Sequence, residues 1–435
     1  MRRRKTDGVI KGAAQIAVGG FLAKLIGAAY RIPLTNLLGG EGVGLYQLVY
    51  PLYCLLLTLS ATGIPSSIAK LVAERRANGR GVSPLLATAF RLFLFIGGAG
   101  TVVMAAIAPV LAGAQGERRL AFGYLALAPS VFLTSAISVF RGYFQGRGEM
   151  FPTASSEVLE QLVKVGTGLL LAWIFREDLY RAVTAVLFAV TLSEGAAALF
   201  LFGKYRRCKP PLSKEEKVSA KRVLALSLPV TLSSLLLPLS GLIDSVALVR
   251  IMRGYAENAV TLYGLFSGGA VTVINLPVSV CYGVAAATVP AVAGERKGAG
   301  TRRRVFKSLL LTLALSAVAA VGLYFLSDLA VGIIFRSLLS AEKEVLVSLV
   351  KAFAFSAVTL SGMQTLSASL TALGKPIFSA IAVGVGMAVK TGLGILLVKN
   401  PALSVHGAAI AANAGYLLAF LLDLLFVLLA LKKNK

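Results

Sequence analysis

A few ionisable residues lie where the surrounding sequence is almost wholly apolar: Lys24, Glu157, Glu160, Lys164, Glu194, Asp244, Lys390 and Asp423, with Arg31 and Arg250 at the outer ends of their runs. A charge in hydrocarbon costs about 3 kcal/mol on insertion scales, so such residues are functional candidates by default. Lys24 and Arg31 are seven residues apart, two helical turns, and project from one face. Asp244 and Arg250 make a second charged stripe, offset from the first by 220 and 219 positions. Arginine suits bidentate contact with phosphate and lysine supplies a point charge. Lys24, Arg31, Asp244 and Arg250 therefore read as the lining of a site for a phosphate or pyrophosphate head group. A plainer arrangement stays open, in which Lys24 and Asp244 neutralise one another while Arg31 and Arg250 snorkel to the interface.

Glu157, Glu160 and Lys164 follow at spacings of three and four, again one helix face, with Glu160 and Lys164 in the favourable acid-first order. Paired carboxylates in a cavity have displaced pKa values, so these three and Lys390, the counterpart of Lys164, are candidates for proton or sodium coupling together with Asp244. The alternative is a buried Glu160–Lys164 pair beside a solvated Glu157. Glu194 and Asp423 stand at matching depths of their runs.

Other chemistries find no residues. The single histidine, His406, excludes an HExxH zinc site and argues against a Ser-His-Asp triad, and Cys54, Cys208 and Cys281 have neither paired spacing nor a histidine nearby. No GxxxxGK[ST] is present. Gly39-Gly-Glu-Gly-Val-Gly44 is glycine-rich, but no strand precedes it, and it reads as a flexible turn in an outer loop. We expect neither enzyme activity, nor a metal, nor a cofactor.

The elements that must hold these residues are membrane helices. Of 435 residues 57% are apolar and 14% charged, against about 25% charged in soluble domains, and the mean hydropathy is +0.81. At about 20 residues per crossing, the apolar runs predict twelve spans: 9–30, 44–65, 84–112, 120–140, 152–175, 180–202, 223–249, 262–290, 307–335, 345–372, 377–398 and 403–431. The net charge of +25 belongs to short loops, where it sets topology and implies no nucleic-acid partner. Thirty of the 44 Lys and Arg fall on one side if the N-terminus is cytoplasmic, which predicts both termini inside.

The sequence also repeats. Gly148 followed by Lys164-Val-Gly-Thr-Gly-Leu-Leu-Leu171 returns 226 positions later as Gly374 followed by Lys390-Thr-Gly-Leu-Gly-Ile-Leu-Leu397, and Glu74-Arg-Arg-Ala-Asn-Gly79 returns as Glu295-Arg-Lys-Gly-Ala-Gly300. Six helices are duplicated, and because six is even the copies are parallel. The expected fold is an all-α polytopic membrane protein of about 12 transmembrane helices in two parallel six-helix repeats around a central cavity. Its expected parts are an N-terminal bundle at 1–205, a basic cytoplasmic linker at 206–222 and a C-terminal bundle at 223–435.

The runs Lys11-Gly-Ala-Ala, Tyr30-Arg-Ile-Pro-Leu, Leu38-Gly-Gly-Glu-Gly-Val-Gly-Leu-Tyr46, Ser60-Ala-Thr-Gly-Ile-Pro-Ser-Ser-Ile-Ala-Lys70 and Leu242-Ile-Asp-Ser245 carry a resemblance. The chain resembles the polysaccharide-transporter and stage V sporulation protein B branch of the MOP flippase superfamily, which also holds the lipid II flippases and, more distantly, the MATE drug exporters. The resemblance covers essentially the whole chain. It implies a V-shaped, alternating-access carrier in the bacterial cytoplasmic membrane. The implied cargo is an undecaprenyl-pyrophosphate-linked saccharide, an anionic peptidoglycan precursor or polysaccharide unit. Lys24 and Arg31 match the cavity positions of the first helix to within a residue. The cavity positions of the eighth helix fall on about Thr272 and Asn275, which adds Asn275 to the substrate set. Members of the branch often have fourteen helices, and this sequence supplies twelve. Implied partners are the lipid-linked saccharide, membrane lipids and a coupling H+ or Na+. The alternatives are a MATE-like cation antiporter, which would want a carboxylate-lined cavity, and a non-transporting scaffold for envelope or spore-cortex assembly.

Overall fold

The computed structural model describes the backbone of residues 2–211, 213, 218–293 and 299–432, without the side chains of 2–17, 24, 28, 229, 230, 233, 286, 287, 289–293 and 299. Among the described residues every regular element is helical. Among the described residues eight helices are long and apolar enough to cross a membrane, or nine counting one bent pair. The protein is a multi-pass membrane protein.

The helices run in chain order as α1 (Arg2–Ala61), α2 (Ile64–Ala77), α3 (Ser83–Ala114), α4 (Ala121–Gly146), α5 (Phe151–Ile174), α6 (Leu179–Arg207), α7 (Ala220–Ser234) and α8 (Leu236–Met252). They continue as α9 (Ala259–Gly264), a π-helical turn (Leu265–Ala270), α10 (Val271–Ala293), α11 (Ala299–Phe325), α12 (Ser327–Ile334), α13 (Ser340–Phe353), α14 (Ser356–Ala372), α15 (Pro376–Val398) and α16 (Ser404–Lys432).

The difference between eight and the expected twelve has physical causes. The 60 residues of α1 would stretch about 90 Å as one rod, three times the hydrocarbon thickness. Gly39 breaks it with φ 69°, a left-handed value that glycine adopts without a Cβ penalty, so α1 holds two passes. The glycine run expected as a loose turn is thus helical from Gly40 onward. α5 carries Glu157, Glu160 and Lys164 within its 24 residues, so every stretch of it long enough to cross holds all three. The seventh span is split into α7 and α8: the Pro238 ring collides with the carbonyl four residues back, at Ser234, where α7 ends. The tenth is the bent pair α13–α14, turned by 47°.

The chain forms two compact units. One contains residues 1–27 and 49–238, the other residues 28–48 and 239–435. The chain therefore passes between units three times, the last time at Pro238.

In the first unit, Ile64, Ile68, Leu71 and Val72 of α2 pack on Leu85, Leu86 and Phe93 of α3, Ile137 and Phe144 of α4, and Leu201 of α6. Tyr143 Oη donates to the Cys208 carbonyl at 2.6 Å, and Arg147 joins the same oxygen at 3.0 Å. That hub satisfies the end of α6. Apolar side chains that face away from this core, such as Phe95 and Leu199, are 76% and 72% exposed, as expected where the outer solvent is hydrocarbon.

In the second unit, Val305 and Leu309 of α11, Leu366 and Leu370 of α14, and Val427 and Ala430 of α16 form the core. α15 and α16 approach so closely that a Cβ at Gly386 would lie 2.5 Å from the Gly415 carbonyl oxygen. Residues 28–48 of α1 pack into this unit: Asn36 Nδ2 donates to the Ile334 carbonyl at 2.9 Å, and Gln47 Nε2 donates to the Ser267 carbonyl at 3.1 Å. Ser267 lies in the π-helical turn, where the lengthened ring frees backbone carbonyls.

Candidate substrate and coupling sites

In the second unit the sequence candidates Asp244 and Lys390 come together. α8 and α15 hold them as an ion pair with side chains 8% and 11% exposed. Lys390 Nζ also donates to Ser240 Oγ at 3.0 Å, one turn before Asp244, and Ser240 shares a hydrogen bond of 2.9 Å with Thr391. Gly415 makes room for this: a Cβ there would sit 2.5 Å from the Lys390 Cβ. Burying two charges costs several kcal/mol each unless geometry and extra hydrogen bonds repay it, and here both charges have partners. The side chain of Lys24 lies outside the described residues.

Arg250 does not share that site. Six residues advance a helix by about 600°, leaving Arg250 roughly 120° round α8 from Asp244, and Arg250 is exposed where Asp244 is buried. Arg31 belongs to the second unit and is half-buried. Its Nη1 donates to Thr272 Oγ1 at 2.8 Å, and it makes no ion pair with a described carboxylate. Asn275 stands one turn beyond Thr272 on the same face of α10, half-buried.

In the first unit, Glu160 is held by Arg141 of α4 at 3.1 Å, and Arg141 Nε donates to Ser156 Oγ at 3.0 Å. This cross-helix partner is not visible in the spacing within span five. Nearby, Tyr53 Oη donates to Glu194 Oε1 in a fully buried contact. Glu194 Oε2 has no hydrogen-bond partner. The charged groups acting on Glu194 are Glu160, Arg141 and Lys164. Glu157 is half-buried on the same helix. Sequence reading missed Tyr53 and Arg141 as members of this set, because each comes from a different helix. A tyrosine or arginine in an apolar run is the signal that was available.

Asp423, the counterpart of Glu194, is fully buried in the second unit. Ser367 Oγ donates to its Oδ2 at 2.7 Å, and Ser379 Oγ donates to Ser367 Oγ at 2.6 Å. Among the described residues no group of three or more His, Cys, Asp or Glu side chains is placed to hold a metal ion. No disulfide joins Cys54, Cys208 or Cys281. The repeat of Glu74–Gly79 at 295–300 lies largely outside the described residues.

The model of the family described as polysaccharide biosynthesis protein matches residues 9–294, more than half the chain. The chain belongs to that family. Stage V sporulation protein B of Bacillus subtilis (strain 168) is 29% identical over 434 residues, covering 95% of this chain and 82% of the relative. The lipid II flippase MurJ of the same organism is 21% identical over 450 residues, covering 96% of this chain and 82% of the relative. Among solved structures, the inward-facing conformation of a multidrug resistance MATE family transporter of the MOP superfamily superposes with a TM-score of 0.79 at 18% identity, covering 95% of each chain. That likeness shows the fold. The resemblance to the MOP flippase branch stands, and the fold is that of a polytopic membrane carrier. Of these, MurJ bears the name of a flippase and the solved structure that of a transporter.

Proposed function

We propose that this protein is an alternating-access flippase that moves an undecaprenyl-pyrophosphate-linked saccharide across the bacterial cytoplasmic membrane. The observation that carries the reading is Arg31: half-buried, hydrogen-bonded to Thr272 at 2.8 Å, and without a described carboxylate to neutralise it. A guanidinium left without a counter-ion at the edge of hydrocarbon gains most from an anionic ligand, and its planar fork matches a phosphate. Buried Thr272 holds Arg31 in place, and half-buried Asn275, one turn on, offers an amide for a saccharide. Lys24 belongs to the same set by its spacing from Arg31. Coupling to H+ or Na+ is assigned to the first unit, where Glu160 and Lys164 act on Glu194 and Glu157 stands on α5 with them. The Asp244–Lys390 pair balances its own charge.

Both termini are read as cytoplasmic from the basic asymmetry. Native mass spectrometry of the purified protein tests the substrate: a co-purified polyprenyl-pyrophosphate glycan, lost in Arg31→Ala, is the expected result. Absence of any such lipid, with export of organic cations by reconstituted protein, would overturn it in favour of a MATE-like antiporter.

A further inference from the structure

At one end of the second unit, Lys375, Phe378, Phe426, Leu429, Ala430 and Lys432 line a cavity of about 560 Å³, within the usual range for small-ligand sites, roughly 300–1,000 Å³. Its walls are apolar: the Phe378 and Phe426 rings lie 5.2 Å apart, and Leu429 is 52% exposed. Its polar lining is two ammonium groups, and neither is paired with a described carboxylate. The nearest acid along the chain, Asp423, is buried and turned to Ser367.

The placement of Lys375 is unfavourable for its own helix. It occupies the N-cap position of α15 without capping it, at the positive end of the helix dipole, where a cation is repelled. The first repeat handles the equivalent place differently: 226 positions earlier stands Glu149, neutralised by Arg147 at 2.7 Å. A second cavity, in the first unit, also has two cations at its edge, Arg119 and Arg181, but Asp178 already pairs with both, at 3.0 and 3.4 Å.

We propose that the cavity between the start of α15 and the end of α16 binds an anionic phospholipid, its phosphate between Lys375 and Lys432 and the first part of an acyl chain against Phe378, Phe426 and Leu429. The charge decides the occupant: two lysines without a carboxylate discriminate a net-negative headgroup from a zwitterionic one. The exposed Leu429 and the two rings give an acyl chain an apolar wall that a free phosphate cannot use. Basic pockets between helix ends are a recurrent form of lipid headgroup recognition. The site is separate from the Arg31 set, and its existence does not depend on which substrate is carried.

The test is native mass spectrometry of protein reconstituted in equal phosphatidylglycerol and phosphatidylcholine, with polyprenyl phosphate as a minor third component. Wild type should retain phosphatidylglycerol at collision energies that strip phosphatidylcholine. Lys375→Gln and Lys432→Gln should each weaken retention about five-fold, and the double variant about 25-fold. Lys375→Arg should keep it. Leu429→Trp, which fills the slot without changing charge, should lose it. Lys70→Gln/Arg91→Gln removes two charges elsewhere and should leave retention unchanged. Equal retention of both phospholipids by wild type, equal loss in the Lys70/Arg91 control, or preferential capture of polyprenyl phosphate would each overturn the proposal.

Discussion

Lys390 of α15 donates to Asp244 of α8 across 146 positions of sequence, and both side chains are nearly closed off from their surroundings. Removing either partner strands a charge where none can be solvated.

Lys390→Met and Asp244→Asn should therefore each destabilise the protein by about 3–5 kcal/mol, whereas the double variant should recover most of that loss. Thermal unfolding followed by size-exclusion fluorescence measures it. A double variant no better than the singles would mean that Ser240 and Thr391, and not the pair, set the stability.

Arg31→Ala and Lys24→Ala should each abolish flipping while membrane insertion is unchanged. Loss of a charge-assisted phosphate contact costs about 1.5–3 kcal/mol, roughly 10- to 150-fold in affinity. Arg31→Lys should restore part of the activity, since lysine keeps the charge and loses the fork. Transport at the wild-type rate by the double alanine variant counts against the pyrophosphate site.

The coupling assignment makes a different demand. Glu194→Gln keeps the shape of the Tyr53 partner and removes the ionisable group, so transport should persist along a substrate gradient but lose its response to an imposed pH or sodium gradient. Vesicles with each gradient applied separately distinguish the two. An unchanged gradient response would place coupling elsewhere.

A thiol introduced at Ser213, in a variant lacking Cys54, Cys208 and Cys281, should resist an impermeant reagent in intact cells and react in inverted vesicles. Reaction in intact cells would reverse the orientation.

Asp178 caps α6, accepting from the backbone N–H groups of Tyr180 at 3.0 Å and Arg181 at 3.2 Å, and pairs with Arg119. The Arg181 N–H first, and Arg119 after it, hold its carboxyl below the ordinary carboxylate range. A depressed folded value means its contribution is complete above the unfolded pKa, about 3.9, and fades as pH falls through the folded value. Asp178→Ala should lower Tm at pH 7, with a gap from wild type that narrows on acidification below about pH 4. A gap constant with pH would show that the ionised carboxylate does not carry the contribution.

Residence in the membrane, helical structure throughout and duplication of six helices are written into the sequence, because each depends on local windows. Twenty apolar residues must form a helix when no water is there to satisfy the backbone, and a repeat is visible as text. The ionisable candidates were legible for the same reason, since a charge in an apolar run stands out whatever it touches. Their partners were not. Glu160 meets Arg141 and Glu194 meets Tyr53 from other helices, while Arg250, six residues from Asp244, faces away from it. Pairing energy falls steeply with distance in space and depends on the local dielectric, and neither is a function of spacing along the chain. The two passes of α1 were legible as separate apolar runs, but the unit each stretch joins was not: contacts such as Asn36 with Ile334 assign residues 28–48 to the second unit, and only packing between distant segments makes that choice.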